Sequence, residues 1–301
     1  MPDETAPVIP MDADGDFDVR EFARTAVGTH RPSIDLTAFE QRALLPRTVQ
    51  MLSYLREVER ATLSYLRNVL VTPTHKDARV TAFLTTWAFE KFWISDALGA
   101  VAEAHAVDPR DQLDHAPGRA VLRELGERAT PIVESFRANA IGPDVVGVHL
   151  ATVAVDDRLG EAAYRNLAAA DPHPQLLSLV ERILAVKRRH LVFVEKDAHD
   201  RLSRSKRARA LARRALSRLD WPIGARDLRP ESTATFFDSV IDSPTAAELD
   251  ARVDLLPGLQ GLGLITHARV RAATGGTGLV PTAARSLGRA AASLRHGKNH
   301  G

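Results

Sequence analysis

Four long stretches of this chain repeat apolar residues at i, i+3, i+4 and i+7, the spacing that lines one face of an α-helix, and alternating strand-like patterns are almost absent. The first, about 45–70, sets Leu52, Leu55, Glu59, Thr62, Leu66 and Val69 on one stripe and ends before the turn V-T-P-T at 71–74. The second, about 77–106, follows Thr74 as its N-cap and aligns Val80, Leu84, Trp87, Lys91, Ile94, Leu98 and Val101. The third, about 143–170, aligns Val146, Leu150, Val153, Asp157, Gly160, Tyr164 and Leu167. The fourth, about 174–203, aligns Leu177, Val180, Leu184, Lys187, Leu191 and Val194, with His190 one turn beyond Lys187. Pro and Gly clusters mark the joins, and a helical connection at about 115–140 separates the second stripe from the third. The expectation is an all-α fold, a four-helix bundle with a long crossover spanning 36–220, with further C-terminal helices at 221–272 packed against it.

Each apolar stripe is interrupted near its middle by a charged residue: Glu59, Lys91, Asp157, and Lys187 with His190. Ferritin-like bundles build di-metal sites at this level, with one Glu from each of two helices and Glu-x-x-His from each of the other two. The i, i+3 spacing lets a carboxylate and an imidazole on one helix face reach the same ion. The stretch A-F-L-T-T-W-A-F-E-K-F-W-I-S-D-A-L (82–98) resembles the second bundle helix of acyl-ACP desaturases and their bacterial ferritin-like relatives, whose pattern is W-x-x-E-E-x-x-H-G-x-x-L. D-R-L-G-E-A-A-Y-R-N-L-A (157–168) and L-L-S-L-V-E-R-I-L-A-V-K-R-R-H (176–190) are similar to that family's E-x-x-T-x-x-x-Y-R-N-x-A and D-E-x-R-H helices, so the likeness covers about 40–220.

The resemblance implies a ferritin-like fold, a di-iron cofactor, oxidation of fatty-acyl or similar apolar substrates, and acyl carrier protein as an acidic partner. It carries over unevenly. Glu59 matches the lone Glu of the first helix, with Glu57 as a register alternative. Lys91 falls on the Glu and Ile94 on the His of the first Glu-x-x-His, and Asp157 falls on the third helix's Glu. Lys187 takes the Glu of the last Glu-x-x-His, whose histidine is His190. Three ligand positions thus hold Lys, Ile and Lys, none of which binds iron under ordinary conditions.

Charge composition bears directly on this. Of the 40 basic residues only six are lysines (Lys76, Lys91, Lys187, Lys196, Lys206 and Lys298), and two of those six stand at the paired ligand positions. Inward carboxylates need a counter-charge in a dry core, and a compact ammonium fills a metal-sized space better than a planar guanidinium. Lys91 and Lys187 are therefore expected to pair with Glu59 and Asp157, with Glu90 or Glu161 joining, and no metal is favoured. A rebuilt metal site could draw on Glu90, Glu161, His105, His149, Glu195 or His199, but these form no Glu-x-x-His at the expected places. His199 lies about 13 Å along the helix from His190, too far to share one site. Cysteine is absent, which excludes disulfides and thiolate chemistry. No glycine-rich phosphate loop occurs in a strand-to-helix context.

Charge also divides the chain. Residues 1–18 hold six acids and no Lys or Arg, so 1–35 reads as a disordered acidic tail; 273–301 reads as a disordered basic one. His30, His75, His115 and His173, beside prolines or in loops, read as surface. The run 201–218 holds eight basic residues and no acid, and reads as one amphipathic basic helix in which Arg207, Arg213 and Arg214 would meet an acidic partner. Nucleic acid is disfavoured because no aromatic interleaves that run. No stretch is apolar enough to span a membrane, and the acidic start does not resemble a signal peptide, so a cytoplasmic location is expected; a homodimer is an admissible assembly. The leading functional expectation is a non-catalytic binding or scaffolding protein with a degenerate di-iron site. The alternatives are a divergent metal-dependent oxidase or desaturase using Glu59, Asp157 and His190, and an interaction protein acting through 201–218.

Overall fold

The computed structural model describes residues 7–113 and 142–274, which are all-α, with no strand beyond two isolated bridges, Met11–Phe17 and Leu113–Leu228. Two short helices, α1 (Val19–Arg24) and α2 (Thr37–Gln41), precede four long ones: α3 (Pro46–Leu70), α4 (Ala78–Ala104), α5 (Val145–Ala170) and α6 (Pro174–Arg204). The long helices agree with the apolar stripes to within two residues at each end. Helix α3 opens on Pro46, whose fixed φ suits the first turn. The cap of α4 is Asp77, whose Oδ1 accepts the Val80 amide at 3.0 Å. Thr74, the expected cap, instead lies buried in an intervening 3₁₀ turn, Pro73–Lys76.

Helices α3 and α4 pack along one another, as do α5 and α6, each pair joined by a short turn. Their shared interior buries Trp87, Ile94, Leu159, Tyr164 and Ile183 completely. Among the described residues, no helix is long and apolar enough to cross a membrane.

The N-terminal stretch departs from expectation. Residues 7–35 include a packed strap: Phe17 and Phe22 are buried against Phe83 and Phe193, whose rings stack at 4.0 Å. Acidic residues that read as a disordered tail act as turn and cap groups. Asp12 Oδ1 accepts the amides of Asp14 and Asp16, and Asp18 caps α1. His30 and His173 are likewise buried rather than superficial, and His173 Nδ1 accepts the Gln175 amide as the N-cap of α6. His75 is exposed as expected.

The run 201–218 is not one helix. Ser205 ends α6 and caps α7 (Lys206–Leu216) by accepting the Ala208 amide at 3.0 Å. Beyond it, α8 (Pro230–Ser239), α9 (Ser243–Val253) and α10 (Leu264–Ala273) complete the described chain. Phe236 of α8 stacks on Tyr54 of α3, and Asn166 of α5 donates to the Val240 carbonyl at 2.7 Å. The expected helical connection at 115–140, with His115, and the tail beyond 274 lie outside the described residues.

Candidate functional site

The structure brings Glu59, Lys91, Asp157, Lys187 and His190 into one cluster, each at most 2% exposed. Lys91 Nζ lies 3.1 Å from Glu59 Oε2, 3.1 Å from Asp156 Oδ2 and 3.4 Å from Asp157 Oδ1. Lys187 Nζ lies 2.9 Å from Glu59 Oε1 and 3.1 Å from Asp157 Oδ1. Each ammonium therefore bridges the α3 carboxylate and the α5 carboxylate, and four helices meet on two nitrogen atoms. Two aromatic groups complete the carboxylate contacts. Tyr164 Oη donates to Glu59 Oε1 at 3.0 Å, and Trp87 Nε1 donates to Asp157 Oδ2 at 2.8 Å. The Lys91 ammonium also sits 4.8 Å from the Trp87 ring centroid, within cation–π range.

Gly160 makes room for this. It is an interior helix residue, where glycine costs about 1 kcal/mol relative to alanine. A Cβ at that position would stand 3.1 Å from Lys187 Nζ and 3.3 Å from its Cε. The glycine admits the ammonium between helices.

A second layer extends toward the N-terminal strap. His190 Nε2 lies 2.6 Å from Glu90 Oε2, and His190 Nδ1 is 3.5 Å from Asp157 Oδ2. Glu90 Oε1 accepts the Val27 amide at 2.7 Å and faces Arg189 Nη1 at 3.6 Å. Arg189 in turn donates to the carbonyls of Thr25 and Phe22. On the opposite side, Asp156 Oδ1 accepts the Ile223 amide at 2.8 Å. Four carboxylates (Glu59, Glu90, Asp156, Asp157) thus face Lys91, Lys187, Arg189 and His190, and the assembly is charge-neutral when the imidazole is protonated.

The protonation tendencies follow from this packing. Burial pushes the Asp157 carboxyl up, but Lys187 and Lys91 outweigh it and hold the group well below the usual range. Glu59 is lowered by the same two lysines against its own burial. Asp156 is raised, because burial and the adjacent Asp157 charge exceed its share of Lys91. Burial disfavours the His190 imidazolium, yet hydrogen bonds and charge from Asp157 and Glu90 prevail and raise its pKa.

Other sequence candidates lie elsewhere. Glu57 pairs with Arg56, so Glu59 is the inward residue of α3. Glu161 joins Arg158 and Arg165 rather than the lysines. Of the two acids expected to join the cluster, only Glu90 does so, through His190. His105 hydrogen-bonds the Val101 carbonyl and the Leu44 amide. His149 pairs with Thr74, and burial lowers its pKa to about 4. Glu195 binds Arg158, and His199 is exposed. Sequence periodicity missed Asp156, Arg189, the Tyr164 hydroxyl and the Val27 amide. Of these only Asp156 has a local signature, its adjacency to Asp157.

These residues do not fit a di-iron centre. Ammonium groups occupy contact distance from the very carboxylate oxygens that a metal would need, and Ile94 offers no donor. Among the described residues no group of three or more His, Asp or Glu side chains is arranged to hold a metal ion. Comparison of this chain with known protein families, curated proteins and solved structures finds no match.

The basic surface is a separate feature. Arg207 and Arg214 are exposed on α7, with Arg207 Nε 3.9 Å from Asp144. Arg213 acts partly as a strut, donating to the carbonyls of Gly258 and Gln260 at 3.2 and 2.9 Å. Lys206, Arg204 and Arg218 are also exposed, so the cationic surface flanks the Ser205 break.

Removing one partner of a buried ion pair strands the other, so Lys187→Met alone should cost about 3–5 kcal/mol. The pair Lys187→Met with Glu59→Gln should cost less than the two single changes summed, by more than about 1 kcal/mol in a urea-denaturation double-mutant cycle; simple additivity would refute direct coupling. A pH series tests His190. Because its folded pKa is raised above 6.5, its contribution is fully present below that value and is lost as pH rises through the folded pKa. Unfolding free energy should therefore fall with pH above about 6.5 in the native chain, and His190→Gln should remove that component of the slope.

Proposed function

We propose that this chain is a ferritin-like protein related to acyl-ACP desaturases, in which two lysines stand where the family holds iron, and that it acts as a non-catalytic binding or scaffolding protein. One observation carries this reading: Lys91 and Lys187, at the paired ligand positions of the resemblance, each lie within 3.4 Å of both Glu59 and Asp157 in a buried core. The bridging contacts bind the four long helices together and leave no carboxylate oxygen pair open to a substrate. On this reading the cluster has become a fastening, and function resides on the surface.

The exposed cations of α7 supply a surface of the right kind. Arg207 and Arg214 favour an acidic protein partner, and the resemblance makes acyl carrier protein the first candidate. Arg213 is tied to a loop and is better treated as part of the scaffold.

Protein purified from iron-supplemented culture should carry no stoichiometric iron by elemental analysis; two iron ions per chain would overturn the reading. Lys91→Glu, Ile94→His and Lys187→Glu together restore both Glu-x-x-His patterns, and this variant should gain stoichiometric Fe(II) or Mn(II), detected as metal-dependent thermal stabilisation. Failure of metal to stabilise it would count against ferritin-like ancestry. For the surface, Arg207→Gln with Arg214→Gln should weaken salt-sensitive binding to acyl carrier protein by about tenfold while the melting temperature stays unchanged. Unaltered binding would remove α7 from the interface.

A further inference from the structure

Away from the ion cluster, on the outer flank of α5, the structure contains a cleft of about 170 Å³ between α5, α6 and the end of α9. Its floor is apolar: Ala154 and Val155 from α5 meet Val253 and Leu256 beyond them. One wall is polar but internally satisfied. Arg158 donates to both oxygens of Glu195, at 2.5 and 2.7 Å, and to Glu161 at 2.8 Å, so its donors and charge are already committed. The rim differs. Arg252 lies there with no ion-pair or hydrogen-bond partner for its guanidinium among the described residues.

This combination is selective. A cavity near 150 Å³ lined by aliphatic groups holds one benzene-sized body, which sets the scale for a ligand here. An apolar floor favours a ring or short hydrocarbon chain, and a single uncommitted guanidinium at the mouth favours one carboxylate, which it can bind through two parallel hydrogen bonds. The Arg158–Glu195 pair offers no further cation, and the remaining polar group of the lining is the exposed His199 imidazole, 3.8 Å from Asp200.

The far wall is held in place by an unusual backbone. The loop after α9 turns at Gly258, whose φ is +86° and where a Cβ would stand 2.6 Å from the Arg209 Cβ. Arg213 fastens the same loop through two carbonyls, so Leu256 is presented from a braced segment. A pre-formed wall lowers the ordering cost of binding a small molecule.

We propose that this cleft is a binding site for a small monocarboxylate with an apolar body of one ring or about six carbons. The site is independent of the ion cluster and of any partner at α7, and its failure would leave those readings untouched.

Titration of the full chain with benzoate and with hexanoate, followed by saturation-transfer NMR and calorimetry, tests it. Both should bind saturably at one site, and benzyl alcohol, which keeps the ring and lacks the charge, should bind about tenfold more weakly. Arg252→Gln should weaken benzoate by about tenfold and leave benzyl alcohol unchanged. Ala154→Leu fills the floor and should abolish binding of all three ligands. Absence of saturable binding, equal affinity for benzoate and benzyl alcohol, or an unaffected Arg252→Gln variant would each overturn the proposal. So would native-like binding by a folded Ala154→Leu variant; if that variant does not fold, the exposed Arg252 comparison decides alone.

Discussion

The structure depends on two ammonium groups held in a buried interior. Lys91 and Lys187 each touch carboxylates from two other helices, so the helices cannot separate without exposing unpaired charge to a low-dielectric core. Apolar packing supplies the bulk of the stability in any helical protein, yet it is tolerant of small shifts and rotations. Short charge contacts are not tolerant in this way. They constrain the register of α3, α4, α5 and α6, and the aromatic donors Tyr164 and Trp87 each add one hydrogen bond to the shared carboxylates.

The N-terminal strap belongs to the same arrangement. Val27 and Arg189 reach Glu90, Glu90 reaches His190, and His190 faces Asp157. A segment distant in sequence is thereby joined electrostatically to the centre, while Phe17 and Phe22 cover it with apolar surface. On the far side the Ile223 amide does the corresponding work for Asp156. The network is closed at both ends by backbone donors, which satisfy the oxygens of Glu90 and Asp156 that do not face His190 and Lys91.

Much of this was legible in the sequence because it is local. Helix spans follow from the period of apolar positions, and Glu59, Lys91, Asp157, Lys187 and His190 were visible as polar residues on apolar stripes. Contacts that depend on distant chain segments were not. Asp156 lies about 100° around the helix from Asp157 and finds its partner 67 residues away in a loop. Arg189 binds carbonyls 164 and 167 residues earlier, and carbonyls carry no side-chain signature. The acidic start is ambiguous for a related reason: Asp and Gly are favoured both in disordered tails and in tight turns, and only the buried Phe17 and Phe22 separate the two. The Ser205 break carries no distinct signature, because a serine amid basic residues suits a helix surface and a helix cap alike.

Gly160 ties the chemistry of one helix to the backbone of the next. Lysine at 187 and glycine at 160 are a matched pair: any side chain at 160 crowds the ammonium, and any shorter residue at 187 leaves the glycine facing a void. A larger residue at 160 therefore requires the Lys187 end to give by a few tenths of an ångström, away from the carboxylates it bridges. Lys187 is thus matched to its place by shape as well as by charge.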